Sequence, residues 1–469
     1  MKKTIFTVAT ALLVSSTMFA QLRATDQTGI NVFETPKTDT QFTGPKVEFG
    51  ASIAMPYIAL KNTNAASSQS AINQDPSKNS QALFKNSPNF ALSMANLYIN
   101  SYLADGITLQ VTMYLASKHH NETWVKGGYV QFDKIPFIKM DILDNIMKYT
   151  SIKVGQMDVN YGDAHFRRSD GGNAIYNPFM ENYIMDEFAT EIGAEANVNY
   201  KGIIGTASIT NGNLNPSLAE IDTTKATNKN VYSNGLHNPS FILKLGYDKQ
   251  ITDKFRARLT GSVYTTAGAF SNTLFGGDRT GSNYSAIMYN LAPGTGTAFG
   301  GRFNPGLTDK LTTFMGNLFL KYNLLDVLSV ESFTTVESAK GRTTNEATER
   351  KANQFATDLV FRFGKAENFF VGARYNTVSA DVAAAGAKTA TALNTANSGS
   401  TAYTIGLDAV PAYKIDINRL AISGGWYVTK NIMAKVEYAN QKYSNVPNVN
   451  YILNGYEFHG LSAEAVISF

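Results

Sequence analysis

Hydrophobic and polar residues alternate in short segments along most of the chain. In the last nine residues, Leu461 to Phe469, every second side chain is apolar and would project from one face of a strand. The segment 255–263 repeats the pattern and places Arg256 and Arg258 on its polar face. Such segments favour strands whose apolar face meets lipid and whose polar face meets water.

About sixteen such segments can be placed along the chain. They are 46–58, 88–102, 106–117, 123–134, 149–159, 187–200, 202–211, 239–249, 254–266, 312–323, 326–338, 353–365, 368–380, 415–428, 431–443 and 456–469. Connections after even-numbered segments are mostly short and those after odd-numbered ones mostly long, as in bacterial outer-membrane barrels. We therefore predict an all-β, transmembrane antiparallel β-barrel of about 16 strands. A hairpin hidden in 267–311 would raise the number to 18, and the inner connection 135–148 has room for a helical turn.

Aromatic residues recur at one end of alternate strands, in the phase predicted to face lipid. They are Phe132, Tyr200, Tyr247, Tyr322, Phe363 and Phe469. Rings partition into the headgroup layer, so a shared level indicates an interfacial aromatic girdle. The last strand also resembles the terminal recognition strand of bacterial outer-membrane barrels, and this resemblance implies that Phe469 acts as an assembly signal.

The chain begins like an exported protein. Residues 1–20 have two lysines followed by an apolar run, which predicts a signal peptide. We predict that 21–45 is a periplasmic N-terminal extension and that 46–469 forms the barrel. Mean hydropathy is −0.17. The chain has no cysteine, which excludes disulfides and lipoprotein attachment. Without Lys2 and Lys3 the charge is 39 basic against 37 acidic residues, too balanced for a nucleic-acid partner.

The third outer loop, 160–187, is charged and aromatic, and we predict that it folds inward to narrow a water-filled lumen. Two arginines would face an acidic set across the constriction and orient polar solutes. The predicted constriction residues are Asp163, His165, Arg167, Arg168, Asp170, Glu181 and Asp186. The alternative is that these charges pair locally and fix the loop against the wall.

Inward strand positions carry equal numbers of basic and acidic residues, so their sum predicts no ion selectivity. The predicted pore-lining residues are Lys244, Arg256, Arg258, Glu331, Arg362, Arg374, Lys435 and Glu437. The arginine clusters favour either attraction of anionic solutes or ion pairs that brace the wall.

Several motifs resemble porin-type barrels of the Bacteroidota outer membrane. They include Lys153 to Met157, Tyr161 to Asn173, Asn177 to Phe179 and the N-terminal stretch Asn31 to Lys37. The architecture is broadly similar to the phosphate-selective porin O/P family, although no array of lysines supports phosphate selectivity. The resemblance implies passive diffusion of small hydrophilic solutes and a homotrimer.

Two other functions compete with a porin. A hydrolase would use His165 beside an aspartate, but a loop histidine that only donates hydrogen bonds is commoner. A non-conducting accessory or scaffold barrel would bind other envelope proteins in a complex. We expect no enzyme activity, cofactor or metal, and we expect a Gram-negative outer membrane with its lipid and lipopolysaccharide as surroundings.

Overall fold

The computed structural model of the chain describes residues 24–35, 37, 42–65, 83, 86–115, 123–169, 172–214, 238–266, 272–276, 287, 301–343, 345–386, 388–394, 401–407, 409–447 and 453–469. The predicted signal peptide and Asp170 lie outside these residues, as does most of 267–311. Sixteen long strands form the wall. They are β1 (Lys46–Thr63), β2 (Met94–Ala104), β3 (Ile107–Leu115), β4 (Trp124–Phe132), β5 (Thr150–Asp158), β6 (Thr190–Tyr200), β7 (Ile203–Thr210), β8 (Ser240–Thr252), β9 (Phe255–Thr266), β10 (Asp309–Leu325), β11 (Leu328–Arg342), β12 (Arg350–Phe363), β13 (Phe369–Val382), β14 (Tyr413–Thr429), β15 (Ile432–Ser444) and β16 (Glu457–Ser468).

The wall closes because its first and last strands pair. Every strand is antiparallel to its neighbours in sequence, and β16 returns to β1 in a register that runs from Ser52 opposite Ser468 to Thr63 opposite Glu457. Phe469 continues this seam, since its backbone N–H and C=O both bond to Ala51 at 2.9 Å. The prediction of a sixteen-stranded antiparallel barrel is confirmed. The described sheet adds to these sixteen strands only the two-residue strand Asn89–Phe90, which pairs with β1, so it does not contain the 18 wall strands of the alternative.

Alternating burial shows which face of each strand is inside. On β13 the side chains of Phe370, Arg374 and Asn376 are buried in the lumen, while Phe369 and Val371 are exposed on the outside. The same alternation leaves an apolar outer surface around the wall. Five of the six predicted girdle aromatics are exposed there, and Phe132 is half-buried.

Small elements complete the fold. Helix α1 (Asp141–Met147) occupies the connection between β4 and β5, which confirms the predicted helical turn. A hairpin of Lys388–Asn394 and Thr401–Leu407 extends the loop after β13 and forms a separate sheet. Among the described helices, none is long or apolar enough to cross a bilayer. We call the end of the barrel that carries the tight turns and Lys46 the short-turn end, and the opposite one the long-loop end.

Candidate functional site in the lumen

The third connection at the long-loop end, residues 159–189 between β5 and β6, folds into the barrel. Nearly all of its described side chains are buried. Its inward course begins at Gly162, which has a φ of 66° and lies against the side chain of Met315. A β-carbon at this position would collide with the Met315 sulfur, and the left-handed φ also disfavours other residues. A glycine is therefore favoured where the loop turns into the lumen.

Side chains of the wall form hydrogen bonds with the backbone of this loop. Lys435 donates to the carbonyls of Ala174, Asn177 and Phe179 at 3.0 to 3.1 Å. Other wall groups bind loop carbonyls or amides in the same way: Arg374 to Glu181 O at 2.7 Å, Glu437 to Met180 N at 2.8 Å, Asn376 to Ile184 N at 2.7 Å and Gln354 to Met185 N at 2.9 Å. The strands thus supply the hydrogen bonds that an irregular buried backbone needs.

Asp163 forms the most heavily bonded contact between loop and wall. Its carboxylate accepts two hydrogen bonds from Arg258 at 2.8 Å and one from Thr260 at 2.7 Å, and it lies 3.2 Å from the Lys244 amine. Burial disfavours the charged carboxylate, but Lys244 and Arg258 outweigh burial and hold the pKa of Asp163 below its ordinary value. Asp163 therefore stays ionised and locks the start of the loop to β8 and β9.

Arg167 and Arg168 are both paired. Arg167 donates to Glu331 on β11 at 3.1 Å, and the same carboxylate accepts two hydrogen bonds from Arg362 at 2.9 Å. Arg168 makes a bidentate contact with Asp186 inside the loop, with both distances 2.8 Å, and stacks on the Phe188 ring. The pairing places one arginine against the wall and the other within the loop.

The N-terminal segment 24–35 crosses the lumen at the short-turn end. Gln27 bonds to the backbone carbonyls of Lys430 and Ala366 in two tight turns, at 2.7 Å each. Phe33 is buried between Phe319 and the loop residue Phe166, with ring centroids 5.3 and 5.9 Å away. Further along, Lys37 donates to backbone carbonyls beside α1. The segment is thus held to the wall and to the inward loop.

All eight inward residues predicted from strand phase project into the lumen, where they surround what we call the packed half, between the loop and strands β8 to β16. They bind the loop, the N-terminal segment or other inward wall residues: Arg256 pairs with Asp248 at 2.6 Å, and Arg374 pairs with Asp358 at 2.7 Å. Of the predicted constriction residues, Glu181 lies 4.0 Å from Arg419. His165 is buried with its ring 3.9 Å from that of Phe166. The Asp163 carboxylate binds Arg258, Thr260 and Lys244. Within the described residues, Asp163 therefore does not form the pair with His165 that a hydrolase would need.

A cavity of about 200 Å³ lies on the other side of the loop, along β2 to β6. It is bordered by the loop, by the N-terminal segment and by polar wall residues. The wall contributes Tyr98, Asn100, Gln110, Thr112, Lys126, Gly127, Tyr129, Gln131, Ser151, Lys153, Met157, Asp158 and Asn197. None of the eight predicted pore-lining residues borders it, whereas His165 does. Sequence reasoning missed this lining, although uncharged polar residues at inward positions of β2 to β4 were the available signal.

Comparisons with known proteins give only distant similarities. No family model matches the chain, and no curated protein matches it. Among solved structures, the outer membrane channel DcaP of Acinetobacter baumannii is 11% identical, with a TM-score of 0.46 over 92% of this chain and 99% of that one. The anion-selective porin from Comamonas acidovorans is 11% identical, with a TM-score of 0.45 over 91% of this chain and 100% of that one. OmpT, an outer membrane protein of Vibrio cholerae, is 9% identical, with a TM-score of 0.44 over 92% of this chain and 99% of that one.

The barrel architecture follows from the strand pairing of this chain itself. A closed wall of sixteen strands, apolar outside and polar inside, is the architecture of an outer-membrane β-barrel. Among the described residues, the third loop packs against the side chains of β8 to β16, and the cavity lies on the side of β2 to β6.

Proposed function

We propose that this protein is an outer-membrane porin through which small polar solutes diffuse along β2 to β6, beside the inward loop. The cavity on that side is the observation that carries the proposal. It is bordered by amides, hydroxyls and a few charged groups, which suit a water-filled path. The short-turn end, which holds Lys46 and Ser468, faces the periplasm in this proposal.

The extent of the cavity supports a route across much of the membrane. On β5 its lining runs from Ser151 to Asp158, seven residue steps. At about 3.3 Å per residue this is about 23 Å of strand, or about 18 Å along the axis of a barrel with a strand tilt near 40°. The hydrocarbon core is about 30 Å thick. The cavity therefore covers more than half of the distance that a solute has to cross.

In this proposal the third loop is the constriction, and its charged residues fix its position. Arg167 is bound to the wall and Arg168 to Asp186 within the loop, which supports the alternative considered from sequence, that these charges pair and fix the loop. The loop narrows the lumen by the volume that it occupies. Its paired charges hold it against the strands of the packed half. Selectivity then depends chiefly on the groups that border the cavity.

A non-conducting scaffold barrel is the second candidate. The observation that favours it is the filled half of the lumen, where the loop and the segment 24–35 are tied to the wall by ion pairs. Such a barrel would use its outer loops to bind other envelope proteins.

Conductance in planar bilayers separates the two candidates. The porin proposal expects stepwise ion current from the purified full-length protein without any partner. A matched preparation of detergent and lipid without protein gives the background. A protein that inserts, shows the folded electrophoretic mobility of a barrel and carries no current would reject the porin in favour of the scaffold.

A further inference from the structure

One connection at the short-turn end is long and carries an exposed apolar cluster. Residues 133–149 link β4 to β5, whereas the other connections at this end, such as 105–106 and 430–431, are tight turns. Four large apolar side chains of the long connection are each more than half exposed: Phe137, Met140, Ile142 and Ile146. An apolar cluster that the described residues leave exposed indicates a contact with lipid or with another protein.

The period of helix α1 places two of these side chains together. Ile142 and Ile146 are four residues apart, so they share one side of the helix. Met147 lies on the adjacent side and is buried, whereas Asp144 lies on the opposite side and is exposed. The helix is therefore amphipathic, and only part of its apolar surface packs against the rest of the described chain.

The N-terminal extension fixes both ends of this connection. Lys37, which follows the lumen segment 24–35, donates to the carbonyl of Asp133 at 2.7 Å and to that of Thr150 at 2.8 Å. These are the points where the connection leaves β4 and enters β5. The connection is thus held in place at its base, while its apolar cluster stays exposed.

Two ring contacts join the connection to the aromatic girdle. Phe137 meets the ring of Phe132 edge to face, with centroids 6.4 Å apart, and Tyr149 meets the ring of Tyr200 in the same way at 4.6 Å. Phe132 and Tyr200 are the last residues of β4 and β6, in the phase that faces lipid. Girdle rings lie at the level of the lipid headgroups. The apolar cluster therefore continues the lipid-facing surface of the wall.

We propose that residues 137–146 form an interfacial anchor, which lies on the periplasmic phospholipid leaflet beside the barrel. Its apolar side chains enter the layer between headgroups and acyl chains, and Asp144 stays in water. Amphipathic helices at a membrane surface bury their apolar side by about 5–10 Å in this layer. Continuity with the lipid-facing wall favours lipid over a second protein at the cluster. The proposal takes from the proposed function only the orientation of the short-turn end, and it holds whether or not the barrel conducts.

The test uses single cysteines, since the chain has none of its own. A nitroxide is attached at Ile142→Cys, Ile146→Cys or Asp144→Cys, and the full-length protein is folded into phosphatidylcholine vesicles. Electron paramagnetic resonance measures how often the label collides with oxygen, which concentrates in lipid, and with a water-soluble nickel chelate. Asp144→Cys is the matched control on the opposite side of the helix. Val154→Cys, at an exposed position on the outside of β5, gives the value for lipid contact.

We expect the ratio of oxygen to nickel collisions to be several-fold higher at Ile142→Cys and Ile146→Cys than at Asp144→Cys, and close to that at Val154→Cys. A ratio no higher than that of Asp144→Cys means that the cluster meets water, which overturns the proposal. Low collision rates with both reagents mean that protein covers the cluster, and they overturn it too. Dipolar broadening between labels would then identify that protein as a second copy of this chain.

Discussion

Lys435 holds the backbone of the inward loop to the wall through three hydrogen bonds, and its replacement tests how the loop is held. Lys435 is 2% exposed on β15, and its amine donates to three loop carbonyls. The same amine lies 2.9 Å from the carboxylate of Glu464, which is 4% exposed. Lys435→Met keeps an unbranched side chain that is one atom shorter, and it removes the charge and the hydrogen-bond donors to the three loop carbonyls.

The expected loss of stability can be bounded from these contacts. Removing one partner of a buried ion pair costs about 3–5 kcal/mol, because the other charge remains buried. The three loop carbonyls also lose their donor, and such bonds do not add independently. We expect Lys435→Met to lower the free energy of unfolding by about 3–5 kcal/mol. Adding Glu464→Gln removes the stranded charge, so the double variant should recover part of this loss.

Two measurements check this prediction. Guanidinium unfolding in detergent micelles gives the stability, and hydrogen exchange gives the protection of backbone amides in 172–180. Lys442→Met is the matched control, since that lysine lies on the same strand, is 59% exposed and pairs with Glu457 at 3.4 Å. Its loss should cost less than about 1 kcal/mol. Unchanged stability and exchange in Lys435→Met would show that the loop is held by something else.

Two further predictions concern the other anchors of the lumen. Phe33→Ala removes a buried ring and should weaken the binding of segment 24–35 to the lumen by about 3–5 kcal/mol, so that the segment becomes sensitive to protease and the conductance rises. Phe90→Ala is the control, because the Phe90 ring is 78% exposed. A segment that stays protected from protease in Phe33→Ala would contradict the expectation. Replacing both Arg167 and Arg168 by Ala leaves the loop more acidic, so the reversal potential in a salt gradient should shift towards cation preference; an unchanged potential would reject a role of these arginines in selectivity.

The barrel could be predicted from sequence because the membrane imposes a period of two on every strand. The segments predicted for β10 and β12 lie close to Asp309–Leu325 and Arg350–Phe363. The outer ends were underestimated, as at β11, which continues to Arg342 instead of ending at 338. Beyond the lipid both faces of a strand meet water, so the alternation that identifies the strand fades there.

The candidate site was only partly accessible from sequence. The third loop stood out by its local cluster of charges, but its partners come from strands far along the chain. Asp163 and Arg258 are 95 residues apart, and only the closed barrel brings them together. The position of the cavity depends on which wall the loop packs against, a choice that reflects shape and not local pattern. The predicted homotrimer remains a prediction.

The most direct test of the proposed path is a pair of single cysteines in a chain that has none. Thr112→Cys places a thiol at the cavity, and Thr335→Cys places one at a fully buried position of the packed half, where Thr335 accepts a hydrogen bond from Asn317. Conductance is recorded before and after a charged, water-soluble thiol reagent is added. The account predicts a loss of current for Thr112→Cys and none for Thr335→Cys. Loss of current at Thr335→Cys, with no change at Thr112→Cys, would contradict it.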